Sequence, residues 1–508
     1  MELNELEKIR VEKMEKMRSM GIEPYPTRSE VAHQVSYAVE AFSVHEAKNK
    51  DSELLETFTI GGRIRSIRTM GKLAFTHIED GSGRIQLMLR VNELGQEKLD
   101  LFKEFFDIGD FIQAGGTLMR SRTGEVTLLV SEVKMLAKAI SPLPAAKDEE
   151  VDGEIVRHAT LVDPETRFRQ RYADLAVNNE VREIFRLRTA TVRALQRYLD
   201  GHGFIEVETP ILQPIYGGAA AQPFVTHHNQ LHQDLYLRIS FELYLKRLLV
   251  GGLDRVYEIG RDFRNEGVSF KHNPEFTQLE FYWAYADYLQ VMELTEEMVS
   301  KAAQEVLGTT KIQFGSEEID LTPPWKRLKL RQAIIDAAGI DIDQHMDDKA
   351  LFKAMADKDL HPKAGATRGK LIDSIIGDLL EPNFIQPTFL YNYPRDISPL
   401  AKNIPGNPKM VERFEGFVGG MELCNSFTEL NDPLEQEKRF QEMGRAYADD
   451  DEEHHPMDDD YLRAMSYGMP PNGGFGMGVD RLVMLFANKR SIREVILFPH
   501  LREIEEEE

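Results

Sequence analysis

The sequence predicts an α+β protein in two unequal parts: a small β domain near the N-terminus and one large α+β domain after it. Three observations predict this. Short strand-like runs separated by glycine turns crowd residues from about 57 to 140. A charged, Pro-containing segment, Ser141-Pro142-Leu143-Pro144 through Glu150, then reads as a linker. The roughly 350 residues beyond it mix long helical with strand patterns and are too many for one plain sandwich.

Bulk composition narrows the classes. The 508 residues carry 62 Lys+Arg against 85 Asp+Glu, a net charge of −23, the opposite of a protein that coats nucleic acid. With 42% hydrophobic and 29% charged residues the chain is a folded globular protein rather than a disordered one, with two to four domains expected. Cys424 is the single cysteine, which excludes an internal disulfide and a Cys-based zinc site and points to a reducing compartment such as the cytoplasm. The start, Met1 to Glu5, lacks the basic and apolar regions of a signal peptide. The longest stretch free of Asp, Glu, Lys and Arg, Thr209 to Gln233, is rich in Gln, His and Pro, so no membrane partner is expected.

Residues 1–55 read as a helical extension. Leu3, Leu6, Ile9, Met14 and Met17 make a loose apolar stripe, Glu12 and Lys16 form an i,i+4 pair, and Gly21 with Pro24-Tyr25-Pro26 ends the helix. It either packs on a surface or faces nucleic acid. In residues 56–142, the runs Phe58–Ile60, Ile64–Ile67, Leu73–Ile78 and Arg84–Leu89 are punctuated by Gly61-Gly62, Gly71 and Asp80–Gly83. A helix over Gln96 to Phe106 and strands near 111–119 and 125–135 follow. Five strands with a helix inserted late fit a small Greek-key barrel of the OB type.

Within 61–90 stand Arg63, Arg65, Arg68, Lys72, Arg84 and Arg90 against Glu79 and Asp80, a local balance of 6 − 2 = +4. With Phe75 among them, the segment reads either as a single-stranded nucleic-acid face or as core aromatic plus ordinary solvated arginines. Residues 143–170 are the linker and 171–502 the large domain. Its first long helix is expected to be capped at Asn178 or Asn179, to run through Val181, Ile184, Leu195 and Leu199, and to stop at Gly201 or Gly203. The acidic run 448–460 reads as a solvated loop and 503–508 as an acidic tail.

Common signatures are missing. Gly71-Lys72 and Gly369-Lys370 are both followed by Leu, so there is no Walker phosphate loop. No His-Glu-x-x-His occurs, and Gly474 to Gly478 has the wrong spacing for a dinucleotide loop. Three clusters remain. In the first, a strand over Val256–Ile259 enters a loop holding Arg264-Asn265-Glu266 and His272, and a strand over Phe276–Trp283 leaves it. Period two puts Phe276, Gln278, Glu280 and Tyr282 on one face of that exit strand, with Glu280 either a site residue or a salt-bridged core acid.

In the second, Gly419-Gly420 makes a hairpin with Val418 opposite Met421 and Phe417 opposite Glu422. Glu415 is then diagonal to Glu422, roughly 7–8 Å away. Two carboxylates there either hold a cation such as Mg²⁺ together with phosphates or are solvent-facing acids of an edge hairpin. Asn425, Phe427 and Glu429 alternate out of parity with Glu422, which predicts a bulge near Cys424. In the third, the alternating glycines Gly473 to Gly478 permit close backbone approach to a flat ligand, and Arg481 in the helix that follows can meet a phosphate.

Together the clusters resemble the three motifs of class II aminoacyl-tRNA synthetases: the helix ending at Gly203 with Phe204 to Pro210 (motif 1), Arg264-Asn265-Glu266 with the strand to Tyr282 (motif 2), and Gly476 to Arg481 (motif 3). The resemblance is closest to the lysyl group of class IIb. It rests on Gly217 to Ala221, Thr226 to Asn229, Glu242 to Arg247, His272 to Thr277, Ser398 to Lys402 and Glu429 to Pro433, and runs over about residues 2–502. The resemblance implies an OB-fold anticodon-binding barrel, then a catalytic domain of antiparallel sheet flanked by helices, acting as a homodimer on ATP, L-lysine and tRNA(Lys). Arg264 and Arg481 would be catalytic.

ATP would meet Arg264 at the α-phosphate, Glu266 at adenine, His272 at the outer phosphates, Phe276 below adenine, and Arg481 above adenine and at the γ-phosphate. Glu415 and Glu422 would hold Mg²⁺, up to three ions per site, with Glu422 also at the ATP. Glu242, Glu280, Tyr282, Asn425, Phe427 and Glu429 would line the lysine pocket, where three glutamates balance two ammonium groups. Phe75 would stack on an anticodon uridine, with Gln86 and Glu132 reading its edge. Gln222, Ser240-Phe241 and Asp396 depart from the family pattern, where Arg, Ala-Pro and Glu are usual. The alternatives are an aspartyl- or asparaginyl-type synthetase and a non-enzymatic RNA-binding paralogue.

Overall fold

The computed structural model describes residues 3–49, 54–144, 147–151, 154–158, 161–446 and 456–502. The acidic tail 503–508 and residues 448–455 of the acidic run lie outside the described residues. The chain divides into two units, Met1–Pro164 with Tyr172–Val177, and Glu165–Arg171 with Asn178–Glu508.

In the first unit, α1 (Glu5–Ser19) opens on a capping box in which Asn4 and Glu7 satisfy each other's backbone amides. Its Met14 and Met17 are buried. Lys13 bonds Asp107 (2.7 Å), and Lys16 reaches Glu104 rather than the expected Glu12. A helix missed in the sequence, α2 (Val35–Lys48), buries Val35, Ala38 and Phe42 in the same core. The five strands are β1 (Leu54–Met70), β2 (Leu73–Glu79), β3 (Arg84–Arg90), β4 (Phe111–Arg120) and β5 (Val126–Ala137), closed in the order β1-β2-β3-β5-β4. Helix α3 (Gln96–Phe105) sits between β3 and β4.

Gly61-Gly62 do not end a strand: β1 runs straight through them, because a Cβ at Gly62 would lie 2.9 Å from the Glu79 carbonyl of the paired strand. Within the segment read as linker, Lys147–Val151 and Glu154–His158 pair as an antiparallel ribbon.

In the second unit, α4 (Asn179–Gly201) begins after Asn178, which occupies the cap position without a side-chain cap bond, and ends before Gly203 at φ +78°. Its apolar stripe, Leu195 and Leu199, packs with α6 (Tyr288–Leu307) against one face of a large mixed sheet. The sheet contains β6 (Ile205–Glu206), β7 (Arg255–Phe263), β8 (Glu275–Ala284), β9 (Lys326–Lys329), β10 (Thr388–Pro394), β11 (Asn407–Val418), β12 (Met421–Thr428) and β13 (Asn472–Gly478). Their order is β9-β10-β11-β12-β13-β8-β7-β6; the central pairings are antiparallel and the outermost ones, β9 with β10 and β7 with β6, are parallel.

On β8 the expected alternation holds: Leu279 and Phe281 join the helix-covered core, while Phe276, Gln278, Glu280 and Tyr282 face the other way. Helix α5 (Glu242–Val250), set between motifs 1 and 2, covers part of that second face with Leu245 and Leu249. The acidic run is not wholly a solvated loop: Asp458 caps the helix Asp459–Ser466 and bonds Arg247 at 2.8 Å.

Helix α6 carries a full capping box. Asp287 accepts from the amides of Leu289 and Gln290, and Gln290 answers at the Asp287 amide. Asp287→Ala should therefore lower unfolding stability by about 1 kcal/mol, read as a lower denaturant midpoint at unchanged slope.

Candidate active site

Register across the sheet builds the site. One row of partners is Glu258, Glu280, Gly476, Asn425 and Glu415; the next is Val256, Tyr282, Gly474, Phe427 and Arg413. The expected bulge exists: Phe417 pairs with Glu422 and Gly416 with Cys424, so Leu423 is the extra residue. That slip brings Asn425 and Phe427 to the face of Glu280 and Tyr282.

The glycines of β13 leave the trough between these rows open. A Cβ at Gly474 would overlap Glu429 Oε1 and sit 2.5 Å from the Tyr282 ring; one at Gly476 would lie 2.9 Å from the Gln278 amide. The trough is a cavity of about 460 Å³. Every residue expected for nucleotide and amino acid lines it.

One end of the cavity is acidic. Glu280 is buried, and its Oε1 accepts from Ser240 Oγ (2.8 Å) and Gln278 Nε2 (3.1 Å), while the Tyr282 hydroxyl donates to Oε2 (3.2 Å). Ser240, a departure from the family pattern, thus supports a site carboxylate. Burial, then repulsion from Asp262 and Glu242, raises the Glu280 carboxyl well above its usual range. Glu429, fully buried, is raised in the same way by burial, against the pull of Lys246. Lys246 escaped the sequence reading although it lies one helical turn from Glu242. Its ammonium, with zero exposure, donates to Glu242 (2.6 Å) and is ion-paired with Glu429.

The other end is basic. Arg264 follows β7 and lies over the Phe276 ring (5.1 Å). Arg481, on α7 (Val479–Phe486), donates to the Glu422 carbonyl (2.6 Å) and meets the Glu422 carboxylate (3.2 Å) and His272 Nε2 (3.3 Å). Packing at the cavity rim, then the charges of Arg481 and Lys271, pushes the His272 imidazole down to about 4, so it is neutral at pH 7. Glu266 is exposed at the edge. Asp480, unforeseen in the sequence, anchors this end: buried, it bonds Arg188 of α4 and accepts from the Thr277 amide (2.7 Å) of β8.

Glu415 alone stands back from the cavity. Arg413 (2.6 Å) and the Tyr393 hydroxyl (2.8 Å) hold it, and burial lifts its carboxyl to about 7. Arg413 also donates to Asn425 (3.1 Å), linking the hairpin acids to the amino-acid end. Of the other departures, Gln222 accepts from the Asn265 amide at its carbonyl (2.8 Å), and Asp396 pairs with Arg368.

On the barrel, Phe75, Gln86 and Glu132 sit on β2, β3 and β5, three neighbouring strands. Phe75 alternates with buried Ala74 and Thr76 and is absent from the barrel core, which answers the core reading. Its cross-strand partners are Arg68 and Met88. The Gln86 amide is held by Glu125 (2.9 Å) and Thr127 (2.9 Å), and Glu132 is exposed beside Lys134. Two of the six local basic residues are neutralised in place, Arg65 by Glu79 and Arg90 by Glu93, so exposed Arg68, Lys72 and Arg84 carry the face.

A mostly antiparallel sheet with a cavity cationic at one end and acidic at the other, following an OB barrel, defines an aminoacyl-tRNA synthetase of class II. Family comparison agrees: "tRNA synthetases class II (D, K and N)" matches residues 163–502 and "OB-fold nucleic acid binding domain" matches 58–136. The chain belongs to the class II tRNA synthetases of the D, K and N group. It is 50% identical to a lysine–tRNA ligase of Chloroflexus aurantiacus over 508 residues, 100% of both chains. It is 50% identical to that of Roseiflexus castenholzii over 99% of both, and 48% identical to that of Pelotomaculum thermopropionicum over 99% of this chain and 96% of the other.

Gly474→Ala should push Glu429 and Tyr282 apart at the acidic end and leave the basic end alone. Overpacking of about 1–3 kcal/mol predicts a 5- to 150-fold loss in amino-acid-dependent pyrophosphate exchange. ATP binding, measured separately by calorimetry, should stay within about twofold.

Proposed function

We propose that this chain is a lysine–tRNA ligase. It activates L-lysine with ATP to lysyl-adenylate and pyrophosphate, then transfers the lysyl group to the 3′ end of tRNA(Lys). The observation that carries the choice within the D, K and N group is the charge of the cavity floor. Glu242, Glu280 and Glu429 stand against Lys246, a formal −3 + 1 = −2. An acidic or amide side chain gains nothing there, whereas a diamino acid brings two ammonium groups to a buried surplus of two carboxylates. The nearly full-length likeness to lysine–tRNA ligases supports the same reading.

Lysine lies with its ammonium groups among Glu242, Glu280 and Glu429, its chain between Tyr282 and Phe427, and Asn425 beside it. Its carboxylate points to the basic end. Phe276 stacks below adenine, Glu266 contacts the adenine edge, and Arg481 covers it and reaches the γ-phosphate. His272, at the cavity rim beside Arg481, faces the outer phosphates. Arg264 meets the α-phosphate, where the lysine carboxylate attacks in line and pyrophosphate leaves. Arg264 and Arg481 are the catalytic residues. Their work is to hold the two reactants in line and to stabilise phosphoryl charge, and no protein nucleophile is needed.

Glu422 and Glu415 would hold Mg²⁺. The donor chemistry fits, two carboxylates with oxygen ligands only: Glu422 lines the cavity, while Glu415 stands behind it and would exchange its Arg413 and Tyr393 partners for the ion. Among the described residues no group of three or more His, Cys, Asp or Glu gathers, so the ion would need further oxygen ligands from ATP and solvent. When bound, the ion offsets phosphate charge. For tRNA, Phe75 stacks on an anticodon uridine and Gln86 and Glu132 read its edge, with Arg68, Lys72 and Arg84 drawing in the backbone. The chain acts as a homodimer in the cytoplasm. Exposed Ile205 on the edge strand β6, with Ile211, Leu212 and Val225, supports the dimer. The single cysteine suits the compartment, and no helix among the described residues is long and apolar enough to cross a membrane.

ATP–pyrophosphate exchange with each of the twenty amino acids tests the assignment: lysine should be the best substrate, and preference for any other amino acid overturns it. Phe75→Ala should weaken tRNA charging by about 1–3 kcal/mol, the worth of one stacked base, with lysine-dependent exchange unchanged. Equal loss in both would contradict the anticodon role.

A further inference from the structure

Three carboxylates buried around one cavity repel one another, and in the absence of a cation they would be neutralised by protons. Glu242 and Glu280 each push Glu429 toward its protonated form. Lys246 stands inside this group. Its side chain has zero exposure and rises from α5 one turn beyond Glu242. Its ammonium lies 2.6 Å from the Glu242 carboxylate and is ion-paired with Glu429. The rings of Phe427 (5.6 Å), Tyr282 (5.9 Å) and Tyr461 (6.0 Å) surround it, the environment an ammonium prefers when removed from water. The charged and titratable groups facing it are Glu242 on its own helix, Tyr282 on β8, Glu429 after β12 and Tyr461, with Arg413 acting on Glu242 and Glu280 on Glu429.

We propose that Lys246 is a resident countercation of the amino-acid pocket, a positioning residue that fixes the Glu242 and Glu429 carboxylates and sets the pocket charge at the value a diamino acid neutralises. The proposal rests on the lysine reading of the same cavity. The Lys246 ammonium holds Glu242 and Glu429 in place and opposes the burial that raises both carboxyls, so lysine meets fewer bound protons than it would without that cation. With a neutral residue of equal length, a carboxyl takes up a further proton at pH 7, and each lysine bound must displace it. Lysine affinity then becomes pH-dependent and improves as pH rises. A monoamino acid brings one positive charge to a surplus of two, leaving one buried carboxylate uncompensated, so the resident cation also sets a selection against such substrates.

The test uses the full chain and lysine-dependent pyrophosphate exchange between pH 6.5 and about 9. The unsubstituted protein should show a lysine KM that depends on pH less steeply than that of Lys246→Met. Lys246→Met should raise the lysine KM at pH 7 by at least tenfold, with the ATP KM within about twofold, and that excess should shrink as pH rises. Lys246→Ala should be rescued by added n-propylamine, which matches the three carbons and ammonium removed beyond Cβ, and not by n-propanol, which fills the same space without charge. A lysine KM in Lys246→Met within threefold of the native value at every pH overturns the proposal. So does rescue of Lys246→Ala by propanol as well as propylamine, or a rise in ATP KM equal to that for lysine. Absence of lysine-dependent exchange in the unsubstituted protein overturns the lysine reading itself, and this inference with it.

Discussion

Keeping carboxylates ionised out of water is the constraint on which the rest of this catalytic unit depends. A buried carboxylate is tolerated only with a cation or several donors beside it. The sheet meets that condition residue by residue. Glu280 receives hydroxyl and amide donors from Ser240, Gln278 and Tyr282. Glu242 and Glu429 share Lys246. Glu415 leans on Arg413 and Tyr393. Each arrangement still leaves its carboxyl raised, because burial outweighs the help received. That residual cost makes the cavity receptive to a further cation, and substrate selection follows from it.

The fold delivers this environment by simple geometric means. Period-two alternation turns one face of β8 and β12 toward α4 and α6 and the other toward the cavity. The glycines of β13 remove side chains where the Glu429 carboxyl and the Tyr282 ring must lie. Asp480 ties the helix carrying Arg481 to α4 and β8, so the basic end is held by the same framework that supports the acidic end. Reactants placed between the two ends meet with their charges already compensated, and positioning supplies much of the rate.

Much of this was legible in the sequence where the signal is local. Strand period placed Glu280 beside Tyr282, the clash of parity around Cys424 announced the bulge, and the glycine spacing of β13 announced close approach. Tertiary partners were not legible. Lys246 and Glu429 are 183 positions apart (429 − 246), and only the packing of α5 over the sheet joins them. Arg413 sits two residues from Glu415, yet its role linking that acid to Asn425 depends on the bulged register. Gly61-Gly62 read as a strand break because glycine is permissive in turns; it is used there for the close approach of Glu79 instead. On the barrel, the count over 61–90 already sets Glu79, the partner of Arg65, against the basic residues, but it misses Glu93, which lies just outside that window and pairs with Arg90.

The acidic floor of the cavity recognises the side-chain ammonium of the amino acid. Calorimetric titration of the full-length protein, in the presence of a non-hydrolysable ATP analogue, with L-lysine and with L-norleucine measures this directly, since norleucine keeps the chain length and replaces the ammonium with a methyl group. Lysine should bind, and norleucine should bind more weakly by a factor on the order of 10⁴, as expected where buried polar groups are left unpaired. Affinities within tenfold of each other would contradict it.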